Sequence, residues 1–239
     1  MYGLGTIINV AAIVIGGLGG TLFGKLLKEN VQETLMKTCG LGTMFIAIAG
    51  TMEGMLSIED GAITSGGAML LVGCLALGAL IGELLDIESL FERFGEWLKK
   101  KTGNAKDQGF VNAFVTASLT VCIGAMAIVG AIEDGITGDY SILATKAVLD
   151  LVIIMVMSCS LGKGTIFSAV PVALWQGGIT ILAGFMRPIM TPLALANLSL
   201  VGSVLIFCVG ANLFFGKQIR VANLLPAVFL AVGAAFLPL

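Results

Sequence analysis

The chain contains no histidine. That removes the commonest general base and the commonest metal ligand. Charge is scarce as well. Only 12% of the 239 residues are Asp, Glu, Lys or Arg, against about 25% in an ordinary soluble domain. So little charge leaves too little polar surface to coat a globule in water. The net charge of -2 comes with no basic patch interleaved with aromatics, so a nucleic-acid partner is excluded. The five cysteines (Cys39, Cys74, Cys122, Cys159 and Cys208) form no CxxC pair and sit in or beside apolar segments. They read as small buried apolar residues. Without histidine, and without paired carboxylates deep in the apolar segments, no acid–base constellation is visible. The chain is expected to be no enzyme, with no cofactor and no metal site. Met1-Tyr2-Gly3-Leu4 carries no basic n-region, so the first apolar stretch is expected to remain in the mature protein.

What fills the chain instead is apolar. Hydrophobic residues make up 57%, and there are 33 glycines. Lipid is the solvent this composition suits. Small residues let helices approach closely there, which replaces the hydrophobic drive that lipid does not supply between helices. A helix needs about 20 apolar residues to cross a bilayer. Eight segments qualify, at roughly 4–25, 34–53, 62–85, 110–132, 141–161, 164–186, 192–215 and 220–238. The predicted fold is all-α: a polytopic transmembrane helical bundle of about eight spans. Segment 86–102 differs. Leu90, Phe91, Phe94, Trp97 and Leu98 recur at helical spacing, with Glu88, Glu92, Arg93, Glu96 and Lys99 over much of the other face. That pattern predicts one amphipathic helix in the membrane interface.

The basic residues orient the map. Of the 13 Lys and Arg, eleven fall in alternate loops: Lys25, Lys28, Lys37, Arg93, Lys99, Lys100, Lys101, Lys106, Lys163, Lys217 and Arg220. The opposite loops hold only Arg187, and Lys146 lies within a span. Basic residues collect on the cytoplasmic side. A multi-pass plasma (inner) membrane protein with both termini outside is therefore expected. The outer loops carry Glu53, Glu59, Asp60, Glu133, Asp134 and Asp139. They either enrich cations at that mouth or simply keep the loops soluble.

An internal repeat organises the chain. Gly5-Thr6-Ile7 opens the first span and Gly164-Thr165-Ile166 the sixth; the same offset matches Gly19 with Gly178 and Thr21 with Thr180. With one residue of slippage, Gly42-Thr43 matches Gly202-Ser203, and Gly50 matches Gly210. Leu70, Leu75 and Gly78 match Leu225, Leu230 and Gly233. Spans 1–3 thus resemble spans 6–8. This divides the chain into a first triplet (1–85), the interfacial helix and its loop (86–108), a two-helix insertion (109–163) and a second triplet (164–239). Five spans separate the starts of the triplets, so they are inverted. Inverted repeats mark secondary transporters, and channels use them too.

Ionisable groups deep in a span are functional candidates by default. Lys146 and Asp150 lie four apart in the fifth span, on one helical face. Asp150 is the candidate ion-coupling carboxylate, for a proton or sodium, with Lys146 as a competing internal cation. The alternatives are a neutralised structural pair, or a Lys146 that snorkels to the outer surface. The neutral candidates are Asn9, its repeat counterpart Ser168, Gln176 and Asn112. Amides can coordinate a small polar solute, or can simply join helices. Gly16-Gly17-Leu18-Gly19-Gly20 and Trp175-Gln176-Gly177-Gly178 hold equivalent places in the two halves. Gly17 and Gly177, with Pro171 nearby, mark either midplane helix breaks or tight packing. Gly19 through Lys25 reads G-x-x-x-x-G-K, but Leu26 replaces the Ser or Thr that a phosphate loop requires.

Several stretches together resemble the bacterial inner-membrane family labelled domain of unknown function 554. They are Gly5-Thr6-Ile7-Ile8-Asn9 with Gly16-Gly17; Gly82-Glu83-Leu84-Leu85-Asp86; Gly124 to Gly130 running into Asp134-Gly135; Lys146 with Leu149-Asp150; Gln176-Gly177; and Asn223-Leu224-Leu225-Pro226-Ala227. The family pattern has glycine where this chain has Leu151, which implies different local packing. The resemblance covers essentially the whole length. It implies a multi-pass plasma-membrane protein of suspected transport function and supplies no substrate.

The function expected is secondary transport of a small solute or ion, with H+ or Na+ as the coupling ion. An ion channel, or a non-transporting scaffold or partner subunit, are the alternatives. The bilayer is the expected partner, and glycine-lined faces are compatible with a homodimer.

Overall fold

The computed structural model describes residues 2–59, 61–123 and 125–237. Asp60, Gly124 and the end of the eighth segment, each named above, lie outside the described residues, as does Met1. The helices are α1 (Leu4–Gly24), α2 (Glu29–Met55), α3 (Ala68–Leu85), α4 (Ile87–Lys101), α5 (Phe110–Cys122), α6 (Ala125–Ile136), α7 (Ser141–Leu161), α8 (Ala169–Ile181), α9 (Ala183–Met186), α10 (Pro192–Phe215) and α11 (Pro226–Ala234). Short 3-10 segments, Lys163–Ser168 and Val221–Leu224, lead into α8 and α11. A hairpin of β1 (Leu56–Glu59) and β2 (Ala62–Ser65) joins α2 to α3, antiparallel, from Leu56 opposite Ser65 to Glu59 opposite Ala62.

Among the described residues, six helices are long and apolar enough to cross a bilayer: α1, α2, α3, α7, α10, and α8 taken with its 3-10 lead. The fourth predicted span is broken: α5 and α6 meet at 63°. The eighth is shorter than predicted, an apolar helix over Val221–Ala234. The architecture is the predicted all-helical polytopic bundle, with α4 in the place of the interfacial helix. Many outward side chains are apolar, among them Ile7, Ile15 and Leu22 on α1, and Leu77, Leu80 and Leu84 on α3. The buried face of α3 is Cys74, Gly78 and Gly82. Large apolar groups outside with small ones inside is the arrangement lipid permits.

The chain divides into two compact units, Met1–Cys39 with Ser89–Arg187, and Gly40–Glu88 with Pro188–Leu239. These do not follow the triplet boundaries read from sequence, because each unit takes helices from both triplets.

In the first unit, α1 packs parallel to α7. A Cβ on Gly16 or Gly20 would collide with the carbonyl oxygens of Leu151 and Met155, and one on Gly24 would lie 2.7 Å from that of Cys159. Four-residue steps on both helices keep the two backbones in register for two turns. α1 runs antiparallel to the 3-10 segment and α8: Gly17 meets Ile166, Asn9 meets Gln176 and Thr6 meets Thr180. α5 starts beside Gly164, whose added Cβ would strike the Phe110 carbonyl, and α6 ends with Gly135 against Thr180. The bent pair therefore runs from one end of this unit to the other.

In the second unit, α3 and α11 are antiparallel. Gly78 would place a Cβ 2.5 Å from Ala227, and one on Gly82 would strike the Asn223 carbonyl. α2 and α10 are antiparallel too: a Cβ added to Gly40 or Gly210 would lie 2.8 Å from the other's carbonyl oxygen, and one on Gly54 would lie 2.9 Å from Leu200 Cβ.

The glycine clusters do not break their helices. α1 is continuous through Gly16 to Gly20 and α8 through Gln176-Gly177-Gly178. Pro171 falls in the first turn of α8, where a missing N–H leaves no intrahelical bond unmade. Of the two readings of these glycines, tight packing holds at Gly16, Gly17 and Gly20.

Candidate functional site

Sequence spacing places Lys146 and Asp150 one turn apart on α7, and the fold turns that face inward. The two residues are 6% and 5% exposed and form an ion pair. The Lys146 ammonium also donates to the Val121 carbonyl oxygen at 2.8 Å. Val121 sits in the last turn of α5, where the break leaves carbonyls without ladder partners. Ile123, just after the helix, is extended (φ -84°, ψ 129°). A lysine at a helix C-terminus meets the negative end of the helix dipole. Lys146 thus does not snorkel; it caps a broken helix and neutralises Asp150.

Two amides complete the cluster. Asn9 Nδ2 on α1 donates to Gln176 Oε1 on α8 at 3.1 Å. Asn9 also lies against the Asp150 carboxylate, and the Cys122 thiol lies beside the ion pair. Asn9 and Gln176 are 0% and 1% exposed, yet Asn9 Oδ1 and Gln176 Nε2 have no hydrogen-bond partner. A buried donor or acceptor left unpaired costs about 1–3 kcal/mol. Two such atoms on one joined pair of amides are rare in a folded interior, where buried polar groups are paired.

The remaining sequence candidates are placed differently. Ser168 is buried and donates to the Thr165 carbonyl at 2.7 Å, while Thr165 bonds Ser158 through their hydroxyls. It fastens the 3-10 turn before α8. Gly17 lets Ile166 approach, with a Cβ position 2.6 Å from Ile166 Cγ1. Gly177 follows Gln176 in an open position with nothing within 4 Å of an added Cβ. Asn112 is exposed in the first turn of α5 and is not brought to the cluster.

Two carboxylates differ from their sequence reading. Asp134, expected in an acidic outer loop, is fully buried in α6. Its two oxygens accept the N–H groups of Gly3 at 3.1 Å and Gly5 at 3.0 Å, tying α6 to the start of α1. Glu88, expected on the polar face of the interfacial helix, is 3% exposed. It accepts the Ala222 N–H at 3.1 Å and pairs with Lys217 at 2.9 Å. Its own N–H donates to Asn223 Oδ1 at 2.7 Å. Arg220 bridges Glu83 at 2.8 Å and Asp86. The hydrogen bond it donates to Asp86, with the charge of Glu83, makes the guanidinium still harder to deprotonate. The Gly82–Asp86 and Asn223–Ala227 stretches thus meet each other in the second unit. In the first, Asn9, Lys146, Asp150 and Gln176 meet likewise.

Several helices long and apolar enough to span a membrane, with an inward-facing cluster of charge and amides at a helix break, define a polytopic membrane protein with a polar interior cluster. The chain belongs to the family described as "Protein of unknown function (DUF554)", which matches residues 4–236. It is 29% identical over 226 residues to the "Uncharacterized membrane protein YdfK" of Bacillus subtilis (strain 168), covering 95% of this chain and 93% of that one. It is also 29% identical over 233 residues to the "Uncharacterized protein YqgA" of Escherichia coli (strain K12), covering 96% and 94%. No solved structure matches.

Proposed function

We propose that this protein is a secondary transporter that moves a small solute across the bacterial plasma membrane, coupled to H+ or Na+. The observation that carries the reading is the Lys146–Asp150 pair held on the open carbonyl of a broken helix, beside two amides with unpaired buried atoms. Ionisable groups at this depth are costly to insert and mark ion and solute pathways. Broken helices expose the backbone groups that such sites use. Asp150 is the coupling carboxylate. Lys146 is the tethered cation that holds its place when no ion is bound. Asn9 and Gln176 contact the solute.

Helix directions support the inverted repeat. α1 lies antiparallel on α8, α2 on α10 and α3 on α11, so each member of one triplet packs head to tail on its counterpart. Ile13 and Val172, 159 residues apart as the repeat requires, are both fully buried along the α1–α8 contact. Counting α5–α6 as one span makes α7 the fifth crossing. The fifth should run parallel to the first, as α7 runs to α1. Lys25 follows the end of α1 and Lys163 the end of α7, so both emerge at one end of the unit. By the bias of basic residues, that end is cytoplasmic. Both termini then lie outside.

The test is flux through the full-length protein in proteoliposomes supplied with labelled small acids, amino acids and polyols. Saturable uptake with counterflow is expected. Asp150→Asn and Lys146→Met should each lower it by about tenfold or more, because breaking a buried pair strands the partner charge at a cost of about 3–5 kcal/mol. Unchanged flux in both variants overturns the coupling role, and single-channel currents overturn the carrier.

A further inference from the structure

Charge balance in the first unit narrows the solute, an argument that rests on the carrier reading above. Lys146 and Asp150 contribute no net charge, whether the shared proton sits on the ammonium or on the carboxyl. Asn9 faces the pair and is joined to Gln176, and both side chains are uncharged amides. Asp134, the other buried carboxylate among the unit's described residues, is held at the start of α1 by Gly3 and Gly5 and is not among the groups acting on Asp150. The empty site is therefore neutral, which suits a low-dielectric interior. Adding one H+ or Na+ makes it +1, and an uncompensated charge buried in such a medium is strongly disfavoured. The loaded site becomes neutral again only if the solute brings one negative charge.

The amides say how such a solute is held. Asn9 and Gln176 use one atom each on one another. What is left over is one acceptor, Asn9 Oδ1, and one donor, Gln176 Nε2. Turning both amides through half a rotation exchanges the ends but leaves the same inventory. A donor matches a carboxylate oxygen. An acceptor matches a hydroxyl. Both orphans are satisfied at once by a ligand that carries the two groups close together.

We propose that the solute is a small hydroxylated monocarboxylate, moved together with one H+ or Na+, its carboxylate on Gln176 and its hydroxyl on Asn9. The cation and the anion enter the neutral site together, so the loaded and empty forms carry the same charge. Transport is then electroneutral. A zwitterion or an uncharged solute moved with a cation would leave the loaded form at +1.

The experiment uses the full-length protein purified in detergent with sodium present. Its thermal midpoint is measured against glycolate, L-lactate, acetate, glycine and urea. Glycolate and lactate should raise the midpoint, acetate less because it lacks the hydroxyl, and glycine and urea not at all. Gln176→Glu keeps an oxygen for Asn9 Nδ2 but puts negative charge where the carboxylate would sit, so it should abolish the shifts. Gln176→Met, neutral and of similar length, should also lose them, and serves if the charged variant does not fold. In protein-coated sensors, rapid addition of lactate with sodium should move no net charge. Shifts by glycine or urea in place of the acids, or a lactate-driven current, overturn the monoanion while leaving a carrier in place. Acid shifts that survive in both Gln176 variants overturn this binding mode. Absence of any shift by the acids overturns the solute class, and the carrier reading then stands or falls on the Asp150 and Lys146 flux test.

Discussion

Glycine does two different jobs here, and the difference is measurable residue by residue. At Gly20 an added Cβ would run into the Met155 carbonyl and crowd Ser158 at 2.8 Å. Backbone cannot yield as a flexible side chain does, so Gly20→Ala must push α1 off α7. A loss of about 1–3 kcal/mol is expected, the usual range for overpacking, read as a lower thermal midpoint in detergent. Gly178 has nothing within 4 Å of the same position. There Gly178→Ala should be neutral or stabilising by up to about 1 kcal/mol, since alanine is the better helix former. Sequence alone could not separate these cases, because both are glycine pairs within apolar runs. Asp134 shows the same limit. Its position after an apolar run read as a loop acid, yet it holds two N–H groups at the start of α1. Asp134→Ala should cost about 1–3 kcal/mol, because it strands the two N–H groups without an acceptor. Faster amide exchange over residues 3–7 would accompany it. Lys146 and Asp150, in contrast, were legible as two costly charges on one helical face. The spacing left a snorkelling lysine open, and the fold turns the face inward.

At the scale of elements, the long helices follow the apolar runs closely. α7 and α10 occupy the residues their hydrophobicity marks, since in lipid an apolar stretch of that length has no other way to satisfy its backbone. The departures are local. The third predicted span began at residue 62, but 62–65 form a strand. Leu56-Ser57-Ile58 and Ile63-Thr64-Ser65 alternate around Asp60-Gly61, a hairpin signal that the neighbouring apolar run concealed. The glycine pairs of α1 and α8 read either as helix breaks or as tight packing, and the break lies after Cys122. Glycine weakens a helix, but packing decides whether the helix yields. In α1 the glycines are clamped on α7, so the ladder survives. At the end of α5 a lysine from another helix takes the exposed carbonyl, and the break is stabilised. No property of residues 110–132 by themselves announces a partner 25 positions away.

For the whole molecule, the sequence pointed to triplets as blocks, and the packing sorts them differently. Each compact unit combines helices of one triplet with their counterparts from the other. Within the units the paired helices run antiparallel, and small residues set the close approaches: Gly40 on Gly210, Gly78 on Ala227 and Gly17 on Ile166. The interior polar groups named from sequence, Asn9, Lys146, Asp150 and Gln176, fall in one unit for that reason: α1 pairs with α8, and α7 lies along α1. The central claim is that the chain crosses the bilayer eight times with its triplets inverted. Single-cysteine accessibility mapping in a variant lacking the five native cysteines tests it most directly. Tyr2→Cys, Ser57→Cys, Thr137→Cys and Leu237→Cys should react with an impermeant thiol reagent added outside intact cells. Lys28→Cys, Gly103→Cys and Gln218→Cys should react only after the membrane is opened. Labelling that put Tyr2→Cys and Leu237→Cys on opposite sides would contradict the count, and with it the inverted repeat.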